Sequence, residues 1–288
     1  MQINNLLLVI VFLVTSPSIA MATKKESATK QTDRWITSAD IATGDNPASL
    51  ALFVETRYRH VYRRDSSPLW DGLYAQGGFQ LSVTPAFGRM GAHIEWLPIA
   101  ILQLRLQYDH YQFFGQYGSL LTYGSGNEAF GDDEIKSRKG KEETGTGDRI
   151  LFQPTLQMKF GPYIVRNRID YAAYHFSGDG PFYHEWEYDT LLTTNDRLFV
   201  NQLMFYYEFI PKSNGEHLFL GPFHEYVRSS HAKLVRTRVG ANLYYAPEAK
   251  YFGFNQPRIW AQAGWNLKDR NRDDELFFVL GIGADFTL

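Results

Sequence analysis

From about residue 48 to the last residue, the chain repeats one pattern: apolar and polar side chains alternate residue by residue, segment after segment. A period of two belongs to the β-strand, whose successive side chains point to opposite faces, and it leaves little room for helix. Leu50, Leu52, Val54, Tyr58 and Tyr62 share one face, while Glu55, Arg57 and Arg59 share the other. Leu102, Leu104, Leu106 and Tyr108 stand opposite Gln103, Arg105, Gln107 and Asp109. Phe152, Leu156, Met158 and Phe160 oppose Gln153, Thr155, Gln157 and Lys159, and Tyr163, Val165, Ile169 and Tyr171 oppose Arg166, Arg168 and Asp170. The pattern persists through Leu276, Phe278, Leu280, Ile282, Ala284, Phe286 and Leu288.

A soluble sandwich alternates too, so strand length and the content of the polar face decide between the two. These strands run to roughly 11–15 residues, about twice the usual globular length. Their polar face carries neighbouring charges, Arg57 with Arg59, Arg166 with Arg168 and Arg236 with Arg238. A dry core would not accept them unpaired, whereas a water-containing lumen would. Aromatic residues make up 16% of the chain and gather toward strand ends, where a membrane barrel has its interfacial girdles.

The N-terminus reads as an export signal. Leu6 to Val14 is an apolar run of nine residues, followed by Ala20-Met21-Ala22, a small-x-small cleavage site, which makes residues 1–22 a signal peptide. The run is far too short to span a bilayer as a helix, which takes about 20 residues. Residues 23–47 are polar and without evident periodicity and read as a periplasmic lead-in, leaving 48–288 for the barrel. The chain has no cysteine, so disulfides, thiolate metal sites and a cysteine nucleophile are excluded, and a net charge of −2 gives no general attraction to nucleic acid.

With these features the chain resembles the bacterial outer-membrane β-barrels. The resemblance implies an all-β, transmembrane, antiparallel up-and-down barrel in the outer membrane, with outer-membrane lipid and the barrel-assembly machinery as partners. Such barrels usually end on Phe; here the end is Asp285-Phe286-Thr287-Leu288, with Phe286 and Leu288 on the apolar face. In this class both termini lie in the periplasm and the strand number is even. The long charged segment 115–147 is then an outer loop, and Leu97-Pro98-Ile99-Ala100 and Gly161-Pro162 are periplasmic turns.

Strands are expected at 48–63, 73–97, 100–114, 148–160, 163–176, 197–210, 217–228, 232–245, 257–267 and 275–288, ten in all. Twelve result if two further places each hide a strand. One is near Pro85, where the apolar face switches from odd positions (Phe79, Leu81, Val83) to even ones (Ile94, Trp96); the other is Tyr183 to Leu192.

The inward set follows from parity: Arg57, Arg59, Arg89, Arg105, Lys159, Arg166, Arg168, Arg236, Arg238 and Arg258 against Glu55, Glu95, Asp109, Asp170 and Asp285. An arginine-rich corridor concentrates small anionic solutes. The same residues can instead plug the lumen with arginine–carboxylate pairs.

One rim motif suggests catalysis. His175-Phe176-Ser177 falls where a strand leaves the membrane, with His175 and Ser177 on the lipid-facing parity of Tyr171 and Ala173. A histidine near a serine acts as general base when a third group fixes its ring, and Asp189 stands as the candidate. The arrangement locally resembles outer-membrane phospholipase A, whose His-x-Ser lies at the outer rim, and it implies lipid hydrolysis there. That family's run His-Asp-Ser-Asn-Gly is here His175-Phe176-Ser177-Gly178-Asp179, and Asp189 stands where the family has an Asn.

No metal-ligand spacing, calcium loop, phosphate-binding glycine loop or nucleic-acid stripe occurs, so no cofactor and no metal are expected. The expected role is a structural barrel or narrow selective channel with an arginine-rich lumen; lipid hydrolysis at the rim is the alternative.

Overall fold

A computed structural model describes residues 33–45, 49–209, 216–247 and 256–287. The proposed signal peptide, the first part of the lead-in and Leu288 lie outside these residues. Twelve strands close into one antiparallel barrel. In chain order they are β1 (Arg34–Asp45), β2 (Ser49–Arg63), β3 (Leu73–Val83), β4 (Phe87–Ile99), β5 (Leu102–Phe114), β7 (Thr144–Phe160), β8 (Tyr163–Phe176), β11 (Asn195–Glu208), β12 (His217–Ser229), β13 (Val235–Ala246), β14 (Gln256–Lys268) and β15 (Leu276–Thr287). Each pairs with the next, and β1 closes on β15 through the register Ile36↔Thr287 to Asp45↔Phe278. Three short strands, β6 (Thr122–Tyr123), β9 (Phe182–Glu185) and β10 (Thr190–Leu192), form a separate small sheet, and a short helix α1 spans Asp132–Ser137.

The count corrects the expected ten to twelve, through two differences with separate causes. Strand β1 occupies 34–45, within the stretch read as a polar lead-in, so the barrel begins at Arg34 rather than at 48. Its alternation is faint because small residues occupy both faces: Thr37, Ala39 and Thr43 point outward, Ser38 and Ala42 inward. On the membrane side the hydroxyls of Thr37 and Thr56 bond each other at 3.1 Å, which makes an outward threonine tolerable. The second difference is at Pro85, where the parity switch is a true turn. Thr84 Oγ1 accepts from the backbone N–H groups of Ala86 and Phe87 at 3.0 and 2.9 Å, and the chain reverses into β4. Tyr183 to Leu192, the other candidate, holds the hairpin β9–β10 and does not cross the barrel. Both added strands precede loop 115–143, so its side of the membrane is unchanged.

The long connections 115–143 and 177–194 emerge at one end, and the tight turns at 100–101 and 161–162 at the other, which orients the first end outward. The outward face carries Leu52, Phe79, Ile94, Leu106, Ile150, Leu156 and Ile282, all exposed. Paired rings edge this band: Trp35 with Tyr58 at 5.3 Å and Tyr163 with Tyr207 at 5.4 Å at the periplasmic side, Tyr171 with Phe199 at 5.2 Å toward the outer side.

The apolar core lies in the outer mouth. There Leu120, Leu121, Tyr123, Phe130 and Ile135 of one outer loop, and Tyr183, Trp186, Leu191 and Leu192 of the other, pack on inward residues of the barrel such as Tyr111, Phe113, Leu151, Tyr174 and Leu198. The two loops form a cap whose hydrophobic underside is inserted between the strands.

Candidate functional site: the plugged lumen

All ten residues expected to line the lumen, Arg57, Arg59, Arg105, Asp109, Arg166, Arg168, Asp170, Arg236, Arg238 and Arg258, lie on the inner face of their strands. Burial of a charge is tolerated only with a partner, and the structure provides partners in two tiers.

The periplasmic tier is a network centred on three arginines. Arg258 bonds Asp40 through Nε at 2.8 Å and Asp285 through Nη1 at 2.6 Å. Arg57 donates to Glu55 at 2.8 Å and Ser38 at 2.7 Å, and Arg105 donates to Glu55 at 2.9 Å. Glu95 accepts from Tyr74 and Gln76, each at 2.8 Å, while the Arg59 guanidinium sits 4.1 Å from the centre of the Tyr74 ring. A polar cavity of about 80 Å³ remains among these side chains, enough for a few small molecules such as water. Nearer the periplasm, Lys159 and His217 share Glu208 at 2.6 and 2.9 Å.

The outer tier is made by the hairpin β9–β10, which descends between the strands. Three consecutive residues at its tip, Glu187, Tyr188 and Asp189, each grip a different part of the molecule. The Glu187 carboxylate accepts from Arg149 and from Arg89, the latter at 3.2 Å. Arg149 also donates to Asp109 at 2.8 Å, and it is fully buried. Tyr188 donates to Asp170 at 2.8 Å, where Gln153 and Arg168 converge at 2.7 and 3.1 Å. Asp189 accepts from Arg272 at 2.7 Å, its other oxygen lies 2.8 Å from His184 Nε2, and Arg272 continues to Asp132 in the other outer loop at 2.6 Å. At Asp189 burial opposes ionisation, but Arg272 and His184 outweigh it and hold the carboxyl well below the usual range. The residue has φ +46°, left-handed backbone that is uncommon outside glycine, and it turns the tip back into β10.

Glu185 has no cation of its own among the described residues: Tyr174 lies at 3.4 Å and the Tyr188 N–H donates at 2.7 Å. Burial, and then the neighbouring Glu187, push its carboxyl up to about 7. Between the tiers, Arg166 is buried with two of its N–H groups, at Nε and Nη1, without an acceptor among the described residues. On the wall formed by β12 to β14, Arg236 meets Glu225 at 2.7 Å and Arg238 meets Asn266 at 2.7 Å, each across adjacent strands.

This is an outer-membrane β-barrel. Closure of twelve strands, an apolar outward band between aromatic girdles and a charged interior together define that class.

The rim motif is not assembled as expected. Asp189 lies inside the barrel with His184 and Arg272, so it is not the partner of the outward-facing His175. His175 Nδ1 instead lies 2.8 Å from Asn195 Oδ1 on the adjacent strand β11, and Ser177 Oγ accepts from the Thr146 N–H at 2.8 Å rather than bonding His175. On its other side His175 faces Asp148, which His110 and Tyr108 contact at 3.0 and 2.5 Å. Among the described residues no group of three metal-binding side chains occurs.

The sequence reading did not single out Glu187, Arg149, Arg272 or Asn195. Arg149 shares the parity of Gln153 and Thr155, a signal that marks it as inward. The other three sit in or beside loops, where no period reports orientation.

No protein-family model matches the chain, and no curated protein matches it. Among solved structures, it is similar to the β domain of the Bordetella autotransporter BrkA, with a TM-score of 0.45 and 13% identity over 88% of this chain and 99% of that one. It is also similar to the COG4313 outer membrane channel of Pseudomonas putida F1, with a TM-score of 0.41 and 11% identity over 92% and 97%. LpxR from Salmonella typhimurium matches with a TM-score of 0.40 and 12% identity over 86% and 99%.

Proposed function

We infer that the protein is a narrow, gated channel for small anionic solutes, closed by its own outer hairpin. The observation that carries this reading is the position of Glu187: a carboxylate from a loop, held between Arg89 and Arg149 inside the barrel. It occupies the place a carboxylate or phosphate solute would take, so the loop is a built-in competitor for the arginines. Withdrawal of Glu187-Tyr188-Asp189 would leave Arg89 and Arg149 sharing Asp109 alone as their carboxylate partner along one wall, and Arg166 would be a further cation for the path. A twelve-strand barrel lies between those filled by their own side chains and the wide aqueous pores of sixteen strands, so a removable segment can decide whether it conducts.

The test is conductance of purified barrels in planar bilayers. Wild type should be closed most of the time. A barrel lacking residues 182–192 should conduct steadily, with a reversal potential in a salt gradient that favours anions, and Arg149→Ala in that background should reduce the anion preference. A loop-deleted barrel that folds yet carries no current would end the channel reading.

A second reading, lipid hydrolysis at the rim, is favoured by the His175–Asn195 bond, because an amide carbonyl can orient an imidazole as a carboxylate does. Ser177 would have to leave the Thr146 N–H and turn toward the ring. Release of fatty acid from phospholipid micelles by wild type, lost in both Ser177→Ala and Asn195→Ala, would support it; no release by wild type would retire it.

A further inference from the structure

The lipid-facing wall carries a polar patch where hydrocarbon should meet only apolar side chains. Asn167 projects outward from β8, midway between Tyr163 and Tyr171, the girdle residues of that strand. Asn201 faces it from β11, between Phe199 and Tyr207, and its Nδ2 donates to Asn167 Oδ1 at 2.7 Å. On the next strand His224 is exposed beside them, opposite Leu203. Each carboxamide offers two hydrogens and two lone pairs, and their mutual bond uses one of each. The Asn167 amide hydrogens and the Asn201 carbonyl oxygen have no other protein partner among the described residues. In water this would cost nothing; at the centre of a bilayer each unmet group costs free energy, because lipid tails offer neither donor nor acceptor. Thr37 and Thr56, outward hydroxyls on the opposite side of the closing seam, bond each other and leave one hydroxyl hydrogen over, a smaller demand than that of the two amides.

Beside this patch the wall is shallow. Pro222, Ala241 and Ala263 point outward between the ridges of Val239, Trp265 and Phe278, leaving a concavity of about 820 Å³ open to the membrane. Small outward residues let a neighbouring wall approach closely.

We propose that the wall centred on β8 and β11 is where two copies of the chain meet, with Asn167 and Asn201 of one copy bonded to those of the other. Three features select a second copy over other occupants. Acyl chains cannot meet the amides. The patch bears no fixed charge, so identical copies do not repel each other across it. Copies inserted in the same direction present the same side chains at the same depth, and a carboxamide, being donor and acceptor at once, complements itself. The symmetry that follows is a two-fold axis along the membrane normal, the isologous arrangement in which a patch meets its own image. The interface does not depend on whether the lumen conducts.

Because the chain has no cysteine, a single introduced thiol reports contact without background. Asn201→Cys and, as a control on the far wall, Ile94→Cys are expressed, and intact outer membranes are treated with a copper oxidant or a short bis-maleimide. Heat-modifiable migration establishes that each variant is a folded barrel. The expected result is a band of twice the chain mass for Asn201→Cys and none for Ile94→Cys. Wild type is expected to run as a dimer in mild detergent, and in the double variant Asn167→Leu/Asn201→Leu, shown by heat-modifiable migration to be folded, that dimer should fall at least tenfold. A folded Asn201→Cys that stays monomeric, that cross-links to a different mass, or that cross-links no better than Ile94→Cys would overturn the proposal, as would a dimer indifferent to the double substitution.

Discussion

Tyr188 donates its hydroxyl hydrogen to Asp170 at 2.8 Å, joining the tip of an outer loop to the inner wall of β8. The contact places a phenol where only a polar group is acceptable, because Asp170 is almost completely buried. Tyr188→Phe keeps the ring and removes the bond, while Asp170 retains Gln153 and Arg168. One such hydrogen bond is worth about 1 kcal/mol, so the closed state should lose roughly a fivefold advantage. Single-channel recording should show open probability rising by about that factor, and more strongly in Glu187→Gln, where Arg89 and Arg149 each lose one of their two anionic partners and keep only Asp109.

The closure should also respond to pH through Glu185. Its carboxyl is raised in the closed state from the ordinary 4.5 to about 7, by burial first and by Glu187 second; Tyr174, Arg149 and the Tyr188 N–H also face it. A raised carboxyl favours the protonated form, so its contribution to closure is complete below about 4.5. That contribution is lost as pH rises through about 7, where the buried group must ionise beside Glu187. Open probability measured from pH 5 to pH 8 should therefore increase, and Glu185→Gln should flatten the profile and keep the channel closed at pH 8. A flat wild-type profile would show that Glu185 does not couple to the gate.

How much of this was readable in the chain depended on whether a residue sat in a periodic segment. Arg166, Arg168 and Asp170 alternate with Val165, Ile169 and Tyr171 so regularly that their inward direction could be read without a structure. Strand β1 escaped because its faces differ little: Ile36 points inward and Thr37 and Thr43 outward, so the contrast that marks a barrel strand elsewhere is nearly erased. The Pro85 turn left half a signal, a change of parity that a bulge would also produce. Closure of the lumen left none, since Asp189 and Arg272 lie 83 residues apart and meet only because two loops fold into one mouth. The same holds at the rim, where the His175 partner proved to be Asn195, brought alongside by strand pairing rather than by sequence spacing.

The two faces of the wall should respond in opposite ways to charge. Phe79 stands outward on β3 and is 73% exposed, and that exposure is to lipid. An arginine there has neither water nor a carboxylate within reach, and Phe79→Arg should cost about 2–4 kcal/mol near the bilayer midplane. Equilibrium unfolding in detergent or lipid vesicles, followed by loss of the compact gel form, measures this directly. The inward neighbour Gln80, which donates to Asp109 at 2.7 Å, should tolerate Gln80→Arg better, because the Asp109 carboxylate is within reach there, although Arg105, which donates to Gln80 at 3.0 Å, opposes the new charge.

The closing seam makes the strongest stability prediction. Strand β1 must find β15 after the whole chain has been laid down, and two polar contacts staple that junction from within: Ser38 donates to Asp285 at 2.7 Å, and Arg258 of β14 reaches across β15 to Asp40 of β1 at 2.8 Å. Arg258 also holds Asp285, so Arg258→Ala would strand the buried Asp40 carboxylate and leave the partly buried Asp285 with Ser38 and the more distant Arg57. Removing one member of a buried pair costs about 3–5 kcal/mol because the survivor keeps its desolvation penalty. Asp40→Asn is the informative comparison, since the amide still accepts from Arg258 and leaves Asp285 in place, so its loss should be smaller. The variants should rank wild type, Asp40→Asn, Arg258→Ala in the denaturant concentration at which the folded gel band disappears. Equal midpoints for Arg258→Ala and wild type would show that backbone pairing between β1 and β15 alone holds the barrel shut.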